Sequence, residues 1–205
     1  MRTKKTVLLI GYDEHIALSI AYILKNSDYR LILLSHKKEN VCSFSRFIHK
    51  VYEYDNYSDM INATKKVAAL EEIDLIMPYD ELESLYVSRH REDFESIAPI
   101  IQLTEAEVFE KAIDKKLLRN YLKQRGLNIM PETNDLESEK DIEKLGKMEL
   151  PILLKPNRSS YGRGIETIES EVQLQEILAN KREVLDGYAA QKFIQGTDVT
   201  CVVYA

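Results

Sequence analysis

Leu150-Pro151-Ile152-Leu153-Leu154-Lys155-Pro156-Asn157-Arg158-Ser159-Ser160-Tyr161-Gly162-Arg163-Gly164 runs an apolar strand signal straight into a lysine and then into a small, polar, glycine-containing loop. Three cations (Lys155, Arg158, Arg163) and no acid lie between Pro151 and Gly164, in a chain whose formal net charge is -6. Phosphate oxygens are held well by closely approaching backbone amides, a lysine point charge and hydroxyl donors. Glycine, lysine and serine are therefore the residue types expected of an anion-holding loop. A P-loop needs lysine and hydroxyl directly after its second glycine, and a helix to follow. Here Ile165 follows Gly164, and 165–169 alternates as the partner strand of a hairpin would. On charge and spacing alone, a surface hairpin kept soluble by its arginines remains the rival account.

Working outward, 171–178 reads as a helix, and 188–194 and 199–204 as two strands joined at Gln195-Gly196-Thr197. Upstream, Asp114 is the expected N-cap of a helix with Leu117, Leu118, Tyr121 and Leu122 on its apolar face and Gly126 at its end. Residues 128–133, with Pro131, read as a short edge strand or turn, and 136–145 as a charged amphipathic helix closed by Gly146. This half is α+β with antiparallel strands.

The first half reads differently. Val7-Leu8-Leu9-Ile10 followed by Gly11 is a buried parallel strand and its turn, and Ile16, Ile20, Ile23 and Leu24 recur at helical spacing. Strands are expected at 31–34, 51–54 and 73–78, and helices at 60–70 and 82–94. This alternation predicts an α/β domain with a doubly wound, mainly parallel sheet. We place one domain at 1–112 and the second at 113–205. Ligands of open α/β sheets gather beyond the strands' carboxyl ends, which marks Gly11-Tyr12-Asp13 and Tyr79-Asp80-Glu81. Asp80 and Glu81 are either helix-start acids complementing the dipole or substrate-facing groups. Gly11 lacks the other glycines of a dinucleotide fingerprint, which disfavours an NAD-dependent oxidoreductase.

At 205 residues and 44% hydrophobic content the chain can bury a sizeable core, and its acidic balance argues against a nucleic-acid binder. The two cysteines, Cys42 and Cys201, give no disulfide framework, and the four histidines show no ligand-like spacing. The apolar run 7–10 is too short for a membrane span or signal core, so a reduced, cytoplasmic protein is expected.

These residues, taken in order, resemble the ATP-grasp family, in its carbamoyl-phosphate synthase-like and biotin carboxylase-like group. Asp114-Lys115, Gly126 and Pro131-Glu132-Thr133 are similar to the family's opening segment, and 150–164 to its strand and glycine-rich lid. Gln191-Lys192-Phe193-Ile194 with Gly196 and Asp198 looks like its adenine hinge, and residues 1 to about 110 resemble the α/β domain that precedes it. The resemblance implies that Lys115 and Lys155 contact the ATP phosphates, while Ser159, Ser160, Gly162 and Gly164 close over them through backbone amides. It implies too that Lys192 and Ile194 read the adenine edge through their backbones while Phe193 packs. Asp198 would take the ribose hydroxyls, with a plain turn residue as the alternative. Gln191 and Asp198 stand where the family usually has glutamate. The family's magnesium ligands lie on strands beyond residue 205, so the chain is expected to be a truncated ATP-grasp protein without its own metal ligands. The activity implied is an ATP-dependent ligase that forms an acyl phosphate on a small-molecule carboxylate for attack by an amine or similar nucleophile, with a homo-oligomer left open. The rival class is a nucleotide-binding or regulatory module without chemistry.

Overall fold

The computed structural model describes residues 4–127, 132–160, 162–180, 185–197 and 199. The chain divides into two compact units, Met1–Phe109 and Glu110–Ala205.

In the first unit, β1 (Lys5–Ile10), α1 (Glu14–Ile23), β2 (Tyr29–Ser35), β3 (Ile48–Glu53), α2 (Met60–Glu71) and β4 (Leu75–Pro78) follow one another, then α3 (Glu81–Arg89) and α4 (Arg91–Glu95), and the chain division falls within α5 (Ala106–Ile113). The sheet order is β3-β2-β1-β4 and every pairing is parallel. The chain thus steps outward from β1 and then returns to its other side, which is the doubly wound arrangement. Period-two alternation shows why 7–10 is apolar throughout. Val7 and Leu9 pack with Leu31, Leu33, Ala17 and Ala21 on one face. Leu8 and Ile10 pack with Ile32, Leu34, Met60, Val67, Val87 and Phe94 on the other. Each large side chain fully withdrawn from water there stabilises the fold by roughly 1.5–3 kcal/mol.

The expected helix over 82–94 is two helices. His90 leaves the helical region (φ -110°, ψ 32°), and after this break Phe94 is fully buried in the core. Gly11 has a specific reason to be glycine: an added Cβ would sit 2.3 Å from the Tyr79 ring.

The second unit holds α6 (Lys115–Gln124), β5 (Thr133–Asp135), α7 (Glu139–Leu145), β6 (Ile152–Pro156), β7 (Glu166–Ile168), α8 (Glu171–Asn180) and β8 (Tyr188–Lys192). Its sheet has the order β5-β8-β6-β7 and is antiparallel throughout. Ile152, Leu154, Ile168 and Ala190 lie on the face that packs with Leu145 of α7 and Leu174 of α8. Leu153, Lys155 and Gln191 belong to the opposite face by the same alternation. The helix expected over 136–145 starts at Glu139, because Leu136 is drawn into the core and the Ser138 side chain caps the first turn. The apolar face expected for α6 contributes no fully buried residue, and Leu117 and Tyr121 stay more than a third exposed. The strand expected over 199–204 falls outside the described residues, save for Val199, which is exposed.

Candidate functional site

The N-terminus of α6 is built as its sequence predicts. The Asp114 side chain accepts from the amides of Lys116 and Leu117, both at 3.0 Å. Its other oxygen accepts from Arg158 Nε at 3.0 Å. Burial raises the Asp114 carboxyl, but those amides and the guanidinium outweigh it and hold the group below its ordinary value. One of the loop's three cations is thus answered by an acid 44 residues away, and the local excess of positive charge is smaller than the sequence suggests.

The backbone N-H of Lys115 donates to the Asn157 carbonyl at 2.9 Å. Its ammonium donates to the carbonyl and the hydroxyl of Ser159 at 3.0 and 3.1 Å. Lys115 and the start of the lid are therefore one unit. Arg163 N-H donates to the Ser160 carbonyl at 3.1 Å and Ile165 N-H to that of Gly162 at 3.2 Å, a tight turn in which Gly162 and Gly164 adopt φ of 71° and 73°. That left-handed conformation favours glycine at both positions. The hairpin predicted around the loop is present, with Leu153 opposite Thr167 and Leu154 opposite Glu166.

On the sheet, Lys155 Nζ donates to Gln191 Oε1 at 2.6 Å, and Gln191 Nε2 donates to Thr133 Oγ1 at 3.3 Å. Lys192 N-H donates to the Glu132 carbonyl at 2.8 Å and Phe193 N-H to that of Pro151 at 3.1 Å, so of the two residues expected to read adenine through their backbones, Lys192 already has its amide engaged. Phe193 and Ile194 are exposed, at 37% and 66%. The packing expected of Phe193 is thus not that of a core residue. Asp198 lies outside the described residues.

Of the expected residues, the structure draws Lys115 to Ser159 and Lys155 to Gln191. A groove of about 490 Å³ beside Asp114, Asn157, Arg158 and Asp186 contains none of them. Its acids Asp114 and Glu137 are paired with Arg158 and Lys116.

The carboxyl edge of the first sheet gathers residues that sequence reasoning missed. Glu83 is buried, and its Oε1 accepts from the hydroxyls of Tyr54 and Tyr57, each at 3.2 Å. His36 Nδ1 is 3.0 Å from the Tyr54 hydroxyl and 3.4 Å from Glu83. The His36 ring stacks on Tyr12 at 4.7 Å between centroids. Burial foremost pushes the Glu83 carboxyl above its ordinary value. Asp80 neither caps its own helix nor faces outward: Oδ2 accepts from the amides of Tyr12 and Asp13 at 2.5 and 2.7 Å, tying β4 to the β1 turn. The positional signal that marks Tyr12 and Tyr79-Asp80 could also have found His36 and Tyr54, which follow the ends of β2 and β3. Cys42 is buried and its thiol is pushed up to about 11, first by burial, so it is no ready nucleophile.

No family model and no curated protein matches the chain. Solved structures do. N5-carboxyaminoimidazole synthetase from Staphylococcus aureus, complexed with ADP, superposes with a TM-score of 0.68 at 19% identity over 95% of this chain and 48% of that one. An L-amino acid ligase from Bacillus licheniformis gives 0.66 at 16% identity over 96% and 46%. The biotin carboxylase domain of Hydrogenobacter thermophilus 2-oxoglutarate carboxylase, in complex with MgADP, ADP and bicarbonate, gives 0.64 at 19% identity over 95% and 45%. All three are ATP-grasp enzymes. This chain has the ATP-grasp fold. It spans about half the length of the ATP-grasp structures it matches. Among the described residues, no helix is long and apolar enough to cross a membrane and no group of three or more acidic, histidine or cysteine side chains is arranged to hold a metal ion.

Proposed function

We propose that this chain supplies the nucleotide-binding part of an ATP-dependent ligase. The observation that carries the reading is the pairing of two half-buried lysines with the glycine hairpin: Lys115 on Ser159 at its base and Lys155 on the open face of the same strand. ATP is the ligand this arrangement suits. Ser159 uses two of the three donors of the Lys115 ammonium, which leaves one for a phosphate oxygen. Ser160, Gly162 and Gly164 would present backbone amides to the β and γ phosphates, while Lys192, Phe193, Ile194 and, where it follows, Asp198 would border the adenosine.

In the reaction proposed for the whole protein, a carboxylate oxygen attacks the γ phosphorus, the bond to the β-γ bridging oxygen breaks, and ADP leaves. An amine or similar nucleophile then attacks the acyl carbon and inorganic phosphate departs. The lysines stabilise charge developing on the phosphates. Magnesium, if bound, would supply neutralisation of the phosphate charge; among the described residues no group of acidic, histidine or cysteine side chains is arranged to hold it. Titration calorimetry of ATP and ADP into the chain tests the reading. Binding is expected, with Lys155→Ala weakening it by at least about tenfold, as the loss of one close charge does. Equal affinity for wild type and Lys155→Ala would overturn it.

A further inference from the structure

We propose that the carboxyl edge of the first sheet is a second ligand site, one that takes the ammonium group of a small organic amine through the open ring nitrogen of His36. The site lies within the first unit and does not depend on the nucleotide reading above. Its hydrogen bonds assign the His36 tautomer. Tyr54 and Tyr57 each donate a hydroxyl proton to Glu83 Oε1, and a phenol has no second proton to give. The Tyr54 oxygen, 3.0 Å from His36 Nδ1, therefore accepts from it. The neutral imidazole then carries its proton on Nδ1 and its lone pair on Nε2. Nε2 meets no hydrogen-bonding partner among the described residues, and the side chain is 29% exposed. Buried Glu83 and its two phenols thus hold the ring by one nitrogen and leave the other as an acceptor open to water.

Charge decides what that acceptor takes. Open α/β sheets commonly hold anions at this edge, on free backbone amides at helix starts. Here those amides are answered from within the chain: Tyr12 and Asp13 N-H donate to Asp80, and His15 and Ile16 N-H to Asp13. The segments that follow the four strands, 11–14, 36–39, 54–57 and 79–83, carry seven acids against two lysines. One of those lysines, Lys37, is paired with Glu14 and stands 5.7 Å from the Tyr12 ring centroid. Tyr12 stacks on His36 at 4.7 Å and is 48% exposed, which sets an aromatic face beside the ring nitrogen. An ammonium matches each feature, with an N-H for Nε2 and a positive charge for the acids and the Tyr12 face. An anion would meet carboxylates where it needs amides.

The test is an NMR titration of the 205-residue chain with ethylammonium, tetramethylammonium and acetate at constant ionic strength, following the ring signals of His36 and Tyr12. Ethylammonium is expected to shift both saturably, and acetate to leave both unmoved. Tetramethylammonium has the charge but no N-H, and should bind at least about tenfold more weakly, as the loss of one hydrogen bond to a charged group does. Ethylammonium affinity should also fall as pH drops through the His36 titration, read from the same signals, because an imidazolium has no lone pair. His36→Phe keeps a ring against Tyr12 and removes the nitrogen, so it should weaken ethylammonium by that same factor of about ten while changing tetramethylammonium by less than about twofold. The inference is overturned if wild type shows no saturable shift, if acetate shifts the two rings as ethylammonium does, or if ethylammonium binds no more tightly than tetramethylammonium. Ethylammonium affinity unchanged in a His36→Phe variant whose circular dichroism matches wild type overturns it too. Should that variant fail to fold, the comparison of the two ammonium ions and the pH series on wild type decide alone.

Discussion

Asp114 carries two tasks in one carboxylate, capping α6 through the amides of Lys116 and Leu117 and anchoring Arg158 of the lid. Asp114→Ala is expected to cost about 1 kcal/mol for the lost cap. It should also free Arg158, so an amide-exchange measurement ought to find faster exchange in 158–164 than in wild type. Asp114→Asn separates the tasks, since it keeps a capping oxygen but loses the charge that Arg158 meets. A second carboxylate gives a pH signature. Glu71 is held at about 2, below its ordinary 4.5, first by the Tyr52 hydroxyl and then, against burial, by Arg30 and Lys50. Because its folded value lies below the unfolded one, the stabilisation is complete above pH 4.5 and is lost as pH falls toward 2. Glu71→Gln should therefore lower stability at pH 7 by about 1 kcal/mol, since Glu71 and Arg30 are half-buried and Lys50 is exposed. Urea titrations at pH 7 and pH 3 should show the gap to wild type closing in acid. A gap that is constant with pH would mean that the carboxylate's ionisation is not what stabilises.

At the scale of elements, the turn between β1 and α1 is fixed by contacts from β4 and the start of α3. Tyr79 lies over Gly11, and Asp80 accepts from the two amides that follow. Gly11→Ala would push a methyl into the Tyr79 ring, whose centre cannot yield as a flexible chain end does. The expected loss is about 1–3 kcal/mol, the usual cost of overpacking. Tyr79→Leu in the same chain should recover part of it, and a double-mutant cycle measures that recovery; strict additivity would deny the contact. The element-scale features that were legible in the sequence share a cause. Strand β1, the α6 cap at Asp114 and the hairpin around the lid are set by neighbours within a few residues, where alternation and capping chemistry are visible. Asp80 was ambiguous because its partners lie 67 and 68 residues earlier in the chain. Glu83 was invisible for the same reason: within α3 it reads as one acid of a polar helix, and only the sheet brings Tyr54, Tyr57 and His36 onto it. The Lys155-Gln191 contact needed the strand register, which no local pattern states.

At the scale of the molecule, the two units differ in how they meet their apolar demand. The first closes cores on both faces of a parallel sheet, one with α1 and one with α2 to α4. The second closes one core on one face of an antiparallel sheet and leaves the other face to Lys155, Gln191 and Thr133. A unit that holds its own core is expected to fold as a unit. A fragment spanning 1–109 should therefore unfold in one cooperative transition, with near-ultraviolet circular dichroism from its clustered tyrosines. Glu83→Gln within that fragment supplies an internal control. The folded value of Glu83 lies above the unfolded one, so ionisation works against the fold as pH rises through and beyond the ordinary carboxylate range. The variant lacks that penalty and should gain stability relative to its parent as pH rises above the ordinary carboxylate value of 4.5, whereas loss of the tyrosine hydrogen bonds would lower it by the same amount at every pH. A fragment without a cooperative transition, or a variant whose difference from wild type does not change with pH, would show that the buried cluster does not govern this unit's stability.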